Sequence, residues 1–292
     1  MWKEGSCFET ALAIWPSMLR TSGDYCASES AVTTAMLIIF MQFQLILGEY
    51  FTVNLEAAET AEQATDLIGW VLNHGRVRSI FNELQAEHSV PPGKILAFLI
   101  ANMTRWTTHL IAFIRLYVLK DPMRRAVITR RQDIINAQVG AEKNRQKKQK
   151  LEDDTVEHCD LIDDGAFWHN LKSVVDDLEP ICFGLNMNQT DAMRPDQALL
   201  SFAGIFLYFQ KHSKPAVATG MMKRIEKRWK ALDQPMFVLA LVLNPFEGVS
   251  CFGEKAGLNQ FTLNTLLLEV GGLYRIYYLL LTISSLDVRS RT

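Results

Sequence analysis

The apolar residues between positions 56 and 243 recur at steps of three and four, the spacing that places side chains on one face of an α-helix. No stretch of this region alternates with the period of two that a half-buried strand shows. The sequence therefore predicts an all-helical body, with helices over residues 56–73, 76–87, 94–119, 121–151, 165–178, 195–211, 220–232 and 235–243.

Glycine and proline mark the expected helix ends. Gly75 occupies the place of a left-handed C-terminal cap, and the Pro-Pro-Gly run at 91–93 breaks the chain before the third helix. Asp121 and Pro122 fit an N-cap and the first helical position. Pro180 is expected to end the helix that begins at residue 165, because the residue before a proline disfavours helical geometry.

A longer apolar run covers residues 31–48, upstream of the helical body. A membrane span needs roughly 20 predominantly apolar residues, and this run is about that long. It also carries Thr33, Thr34, Gln42 and Gln44. We therefore interpret it as a buried helix or strand rather than a transmembrane helix.

Charge is distributed unevenly along the chain, although the net charge is only −2. Positions 120–150 hold ten basic residues against three acidic ones, and positions 152–164 hold seven acidic residues without Lys or Arg. In one interpretation, a solvated basic helix is followed by an acidic loop that folds back on it and forms weak surface ion pairs. In the other, the basic helix contacts a phosphate backbone, because rows of Lys and Arg bind nucleic acid without sequence preference.

Arg105 and Trp106 are adjacent in the predicted helix over 94–119. One interpretation is a core tryptophan beside an arginine whose charged end reaches solvent. The other is a flat aromatic surface and a guanidinium held together on one rigid element. The helical spacing alone does not choose between them.

The five cysteines are scattered, odd in number and without the spacing of a zinc site. This pattern favours reduced thiols in a nuclear or cytoplasmic protein. No P-loop, serine-centred elbow or dinucleotide fingerprint occurs.

Several stretches read together resemble the hAT superfamily of DNA transposases, in particular its fungal elements. The resemblance runs from about residue 48 to 253 and includes Asp66-Leu-Ile-Gly-Trp70, Asn73-His-Gly-Arg-Val-Arg-Ser-Ile-Phe81, Thr104-Arg-Trp-Thr-Thr-His109, Phe167-Trp168, Asp176-Asp-Leu-Glu-Pro180, Lys223-Arg-Ile-Glu-Lys-Arg-Trp229 and Ala240-Leu-Val-Leu-Asn-Pro245. The resemblance implies the helical insertion of an RNase H-like catalytic domain. In the intact family, three acidic ligands hold Mg²⁺ for two-metal strand cleavage and transfer. The family's Arg-Trp pair, here Arg105 and Trp106, stacks on DNA beside the cleaved end and assists hairpin formation.

The chain departs from this family at the catalytic acids. Asp24 and Glu49 do not lie in the context of the first two ligands, and Cys26 lacks the histidine expected three positions later. Glu254 and Glu269 do not match the context of the third acid. A site without these carboxylates cannot gather two Mg²⁺ ions. We therefore expect a truncated, catalytically inactive protein with no cofactor and no bound metal.

Three regions follow from this interpretation. Residues 1–54 form a divergent N-terminal segment with at most a remnant of the RNase H-like sheet, residues 55–250 form an all-helical insertion-like domain, and residues 251–292 form a divergent tail. The fold is expected to be mostly all-α.

The predicted function is DNA binding by nine residues: Arg105, Trp106, Arg124, Arg125, Arg130, Arg131, Lys143, Lys147 and Lys148. Expected partners are DNA and either a second copy of the chain or a companion transposase. One alternative is an all-helical interaction or scaffold module without nucleic-acid activity. The weaker alternative is a protein anchored in a membrane through residues 31–48, although no membrane partner is expected.

Overall fold

The computed structural model of the chain describes residues 27–88, 95–101, 106–189, 194–232, 234–246, 262–265 and 267–268. Side chains are described for these residues apart from 27–37, 88, 106 and 234–236. Every regular element in these ranges is an α-helix, which confirms the predicted helical body. The expected sheet remnant concerns the N-terminal segment, of which residues 1–26 lie outside the described ranges.

Ten helices of nine residues or more occur in the described ranges. In chain order they are α1 Ala27–Val53, α2 Leu55–Asn73, α3 Gly75–His88, α4 Trp106–Val118, α5 Lys120–Val139, α6 Arg145–Asp163, α7 Gly165–Met187, α8 Pro195–Gln210, α9 Pro215–Lys230 and α10 Gln234–Val242.

The chain divides into two compact units whose segments are distant in sequence. The first unit comprises Met1–Met41, Asn188–Leu200 and Trp229–Thr292. Within it, the buried Asp196 carboxylate accepts hydrogen bonds from Arg194 and from the Asn244 side chain, the latter at 2.7 Å. The Arg194 guanidinium holds the pKa of the Asp196 carboxyl below its usual range.

The second unit comprises Gln42–Met187 and Ser201–Arg228, and α7 lies in its core. Helix α7 packs against α2 and α4, while α5 packs against α3 and α6. The apolar face predicted for α7 is buried, including Phe167, Trp168 and Leu171. Because the Trp168 indole is fully buried, its N–H needs a partner, and it donates to the Ile162 carbonyl at 2.7 Å.

The predicted helix over 94–119 is wrong in its first part, because residues 95–101 are not helical and α4 begins at Trp106. The buried carboxamide of Gln85 bonds both backbone groups of Leu96, accepting from its N–H and donating to its carbonyl at 3.2 Å. Arg115 donates to the carbonyl of Ala97 at 2.9 Å. Side chains thus satisfy backbone groups that a helix would otherwise pair internally.

Three predicted helix boundaries are also wrong. Helix α7 continues through Pro180 to Met187, and buried Ile181, Cys182 and Leu185 provide packing that offsets the missing N–H. Gly75 is not a left-handed cap, because it is the first residue of α3. Helix α5 begins two residues before Pro122, which sits in the first turn, where the N–H has no helical partner anyway.

The apolar run at 31–48, for which the sequence left a buried helix or strand open, is helical and lies within α1. In the second unit its side chains Phe43, Ile46 and Leu47 are buried. Among the described residues no single helix has the length and apolar character to cross a membrane. The pair Ile38–Val53 and Leu55–Asn73, bent by 101°, meets the criteria only when counted together.

Gly184 on α7 lies against side chains of α1 and α8. A Cβ at this position would lie 2.8 Å from Cε1 of the Phe43 ring and 3.3 Å from Cδ1 of Ile205. A buried aromatic ring cannot retreat by several tenths of an ångström without disturbing its neighbours. Glycine is therefore required here by packing, since its φ is not in the left-handed region.

We predict that Gly184→Ala lowers the free energy of unfolding by about 1 to 3 kcal/mol, because the added methyl overpacks this contact. Gly204→Ala is the matched control, since a Cβ on this exposed helical glycine would meet no atom within 4 Å. The control should gain about 0.5 to 1 kcal/mol through helix propensity. Urea unfolding measures both, and equal stability of the two variants would contradict the packing assignment.

Candidate nucleic-acid interface

The basic and acidic blocks form an antiparallel pair of helices rather than one helix and a loop. Helix α5 ends at Val139, and α6 begins at Arg145 and carries the acidic block on its C-terminal part. The prediction of a single helix over 121–151 is therefore wrong. Gly140 makes the turn with φ 55° and ψ −127°, a conformation that costs other residues strain energy.

The start of α6 is fixed by its own side chains. The Asn144 side chain accepts hydrogen bonds from the backbone N–H groups of Gln146 and Lys147 at 3.0 and 3.2 Å, which is an N-cap. The backbone N–H of Asn144 donates to the Glu142 carboxylate at 2.9 Å and holds the pKa of that carboxyl below its usual range. These bonds define the helix start within a region exposed to solvent.

Three predicted DNA-binding arginines on α5 form ion pairs with carboxylates. Arg124 bonds the Asp163 carbonyl at 3.2 Å and the Asp163 carboxylate at 3.5 Å. Arg131 pairs with Asp160. The acidic part of α6 thus compensates two cations of α5.

Arg130 reaches in other directions. It pairs with Glu83 on α3 at 2.6 Å and with Asp133 on its own helix at 3.1 Å. Its backbone leaves helical geometry, with φ −132° and ψ 28°, so α5 is kinked at this residue. The hydrogen bonds from Arg130 and Arg131 to their carboxylates raise the pKa of both guanidinium groups above the usual value.

Most cations of the basic block that are not paired with a carboxylate lie at residues 140–150, which we call the hairpin tip. Every residue of the tip is exposed. It holds one carboxylate, Glu142, and five cations, a net charge of +4; the cations are Lys143, Arg145, Lys147, Lys148 and Lys150.

Only one tip cation has an acidic partner within 4 Å among the described residues. Lys148 lies 3.7 Å from Glu152 one helical turn away, a surface pair of the kind that contributes about 0 to 1 kcal/mol. Arg125 on α5 is likewise exposed, and none of the described carboxylates lies within 4 Å of it. The structure thus brings together the predicted residues Lys143, Lys147 and Lys148.

The predicted set omitted Arg145 and Lys150, which belong to the same exposed tip. Two residues in the sequence could have located the tip. Gly140 is typical of a helix end, and Asn144 is typical of the N-cap at the start of the next helix. Arg105 and the side chain of Trp106 lie outside the described residues, and Trp106 is placed only as the first residue of α4.

A second polar arrangement connects α6 to α2. The His158 imidazole stacks on the Trp70 indole, with ring centroids 4.6 Å apart and an interplanar angle of 11°. Its Nδ1 donates to the Asp154 carbonyl at 2.7 Å, and its Nε2 lies 3.4 Å from the Asp66 carboxylate. These contacts anchor the C-terminal part of α6, so its N-terminal turns are the part that projects.

The buried Asp177 carboxylate joins three segments of the second unit. It accepts hydrogen bonds from Tyr50 on α1 at 2.7 Å, from Tyr208 on α8 at 2.9 Å, and from His212 at 3.2 Å. The Nδ1 atom of the same ring contacts the Lys214 backbone, 3.1 Å from its nitrogen and 3.3 Å from its carbonyl oxygen. Three donors satisfy this carboxylate, which gives it a structural role.

The adjacent carboxylates at positions 163–164 and 176–177 point to different partners. Asp176 pairs with Lys172, whereas Asp177 faces the tyrosines. Asp163 bonds Arg124, whereas Asp164 caps α7 by accepting from the N–H of Ala166 at 2.8 Å. Within the ranges that the structure describes, no three His, Cys, Asp or Glu side chains converge to hold a metal ion.

Burial, together with the Asp177 charge, raises the pKa of Tyr50 well above its usual value, and the pKa of Tyr208 is raised for the same reasons. The folded state therefore keeps its tyrosine proton at a pH where the unfolded chain loses it. Stability from this source is complete below pH about 10 and falls as the pH rises further, by up to about 1.4 kcal/mol per pH unit for each group.

We predict that Tyr50→Phe lowers the free energy of unfolding at neutral pH by about 1.5 to 3 kcal/mol, because Asp177 loses a donor. The variant should also lose stability less steeply above pH about 10 than the parent. Tyr117→Phe is the control, since Tyr117 is not bonded to Asp177, and it should follow the parent. Urea unfolding at neutral and alkaline pH measures both, and a Tyr50→Phe curve parallel to the parent curve would contradict the assignment.

The exposed cations of the hairpin tip form a dense positive group in the described part of the chain. Comparison of the chain with protein-family models, with curated proteins and with solved structures finds no match.

Proposed function

We propose that this chain is a DNA-binding protein derived from a hAT-type transposase, without strand-cleaving activity of its own, and that the hairpin tip binds the phosphate backbone. The observation that carries the proposal is the net charge of +4 on eleven consecutive exposed residues, 140–150. Exposed Lys and Arg displace the counterions that surround DNA, which favours binding that weakens with salt.

The ion pairs of α5 favour some of the predicted residues over others as contributors to DNA affinity. Arg124, Arg130 and Arg131 must give up carboxylate partners before they meet a phosphate, so they contribute less to affinity. Lys143, Lys147 and Lys148 make the main contacts, together with Arg145 and Lys150. Arg125 adds a further contact from α5, where it is exposed.

The sequence resemblance supports two further parts of this proposal. Arg105 and Trp106 form a clamp that stacks on an unpaired base, with the guanidinium on an adjacent phosphate. The catalytic acids of the intact family are not recognisable in the sequence, so binding without cleavage is the retained activity. DNA is the partner, and a companion transposase would supply the chemistry.

We predict that the chain binds a duplex of about 20 base pairs with a slope of about −5 in a plot of log affinity against log salt concentration, because each of the proposed phosphate contacts, the five tip cations and Arg125, contributes about −0.9. The triple variant Lys143→Gln, Lys147→Gln, Lys148→Gln should lower the magnitude of that slope by about three. Fluorescence anisotropy between about 50 and 200 mM salt measures both values.

A control removes the same charge elsewhere. Lys211, Lys223 and Lys227 are exposed cations of the second unit outside the tip, and their replacement by Gln should leave the slope within about one unit of the parent. Equal losses in the tip and control variants would mean that total charge, rather than the tip, governs binding. Absence of any salt-dependent binding by the parent would refute the proposed function.

An all-helical interaction module is the second candidate, and one observation favours it. Ile111, Ile114 and Val118 on α4 are 54%, 39% and 55% exposed. Their spacing of three and four places them on one face of the helix, so α4 presents an apolar stripe to solvent. Exposed apolar surface of this kind marks protein interaction sites.

Trp106→Ala separates the two candidates. If Trp106 stacks on DNA, the variant should bind hairpin-ended DNA about 5- to 150-fold more weakly, with unchanged unfolding, since a stacked base contributes about 1 to 3 kcal/mol. If Trp106 is a packed residue of an interaction module, the variant should instead lose about 3 to 5 kcal/mol of folding stability with no specific change in binding. Phe246→Ala, at an aromatic that is 90% exposed, is the control and should change neither quantity.

A further inference from the structure

We propose that the hairpin tip enters the major groove of B-form duplex DNA, so that cations on opposite sides of α6 meet the phosphate rows on the two edges of the groove. This inference rests on the proposed DNA-binding function and specifies the form of nucleic acid that the tip recognises. It depends on how the tip projects and on how its charges are arranged around the helix axis.

The tip projects because no side of its helix is packed. Every residue from 140 to 150 is exposed, the first half-buried residue of α6 is Leu151, and the first fully buried one is Thr155. The helical residues of the tip, 145–150, rise by about 8 Å along the axis at 1.5 Å per residue. The major groove of B-DNA is about 8.5 Å deep, so this length matches the groove.

The cations of the helical part of the tip fall on two opposite sides. At about 100° per residue, Arg145 and Lys148 lie within about 60° of each other, as do Lys147 and Lys150. The mean directions of these two pairs differ by about 160°. A flat anionic surface would meet only one pair, whereas the two edges of a groove meet both.

The width of the groove selects among duplexes. An α-helix with its side chains is about 10 to 12 Å across, and the major groove of B-DNA is about 12 Å wide. The major groove of A-form RNA is deep and too narrow for such an element. The tip therefore fits a DNA duplex and is excluded from the corresponding groove of an RNA duplex.

The test compares two double variants that remove equal charge from opposite sides. Arg145→Gln with Lys148→Gln removes one pair, and Lys147→Gln with Lys150→Gln removes the other. Both sets of side chains are exposed, so folding should be preserved, and circular dichroism checks that it is. Each variant should bind a plain DNA duplex about tenfold or more weakly than the parent, with similar losses for both.

A second arm of the experiment fills the groove without changing the phosphates. A duplex whose cytosines carry glucosylated hydroxymethyl groups has an obstructed major groove, and it should bind about tenfold or more weakly than the plain duplex. An RNA duplex of the same sequence should also bind more weakly. Heparin, as a flexible polyanion without a groove, measures charge attraction alone.

The possible results distinguish failure of groove insertion from failure of the proposed DNA binding. Groove insertion would be overturned, with DNA binding left intact, if only one of the two double variants bound DNA more weakly than the parent. Equal affinity of the parent for plain and glucosylated DNA would have the same meaning. Equal affinity for the DNA and RNA duplexes would overturn it as well. Failure of the parent to bind any of these polyanions would refute both the inference and the proposed function.

Discussion

The pairing of the α5 arginines with carboxylates on α6 and α3 determines where the charge of this chain can act. Arg124 and Arg131 meet Asp163 and Asp160 across the helix pair, and Arg130 meets Glu83. Each of these surface pairs contributes little stability by itself. Together they compensate the middle of the basic block, so most of the remaining positive charge lies at residues 140–150, all of which are exposed.

The packed body keeps the tip in a defined position. Helix α6 is held through the His158 ring against Trp70, and α7 is held through Asp177, whose three donors come from α1, α8 and the segment after α8. Buried carboxylates are costly unless they are fully hydrogen-bonded, and Asp177 meets that condition. The basic turns of α6 are thus an exposed positive surface on a helix whose other end is anchored.

The sequence predicts the helices well where apolar periodicity is continuous, and poorly where distant side chains replace local signals. The buried face of α7 follows from its spacing, but its passage through Pro180 depends on packing around Ile181 and Leu185 that the local pattern does not show. Residues 95–101 carry helical spacing, and the Gln85 carboxamide nevertheless bonds both backbone groups of Leu96. The partners of Asp177 lie up to 127 positions away in the sequence, so no local motif predicts them.

At the candidate interface, too, the local sequence predicts some features, whereas contacts between distant residues determine others. The basic block is visible in the sequence, and Gly140 with Asn144 marks the turn that splits it. Which arginines are already paired depends on the register between α5 and α6 and on the position of α3, which is information from tertiary structure. The proposed DNA contact is therefore concentrated in a segment shorter than the basic block as a whole.

Lysine footprinting tests this account most directly, because it reports on each cation separately. The chain is treated with an amine-reactive reagent with and without a plain DNA duplex, and the modified lysines are quantified by mass spectrometry. The account predicts that DNA protects Lys143, Lys147, Lys148 and Lys150, while Lys211, Lys223 and Lys227 react at unchanged rates. Protection of the second group with full reactivity of the first would contradict it.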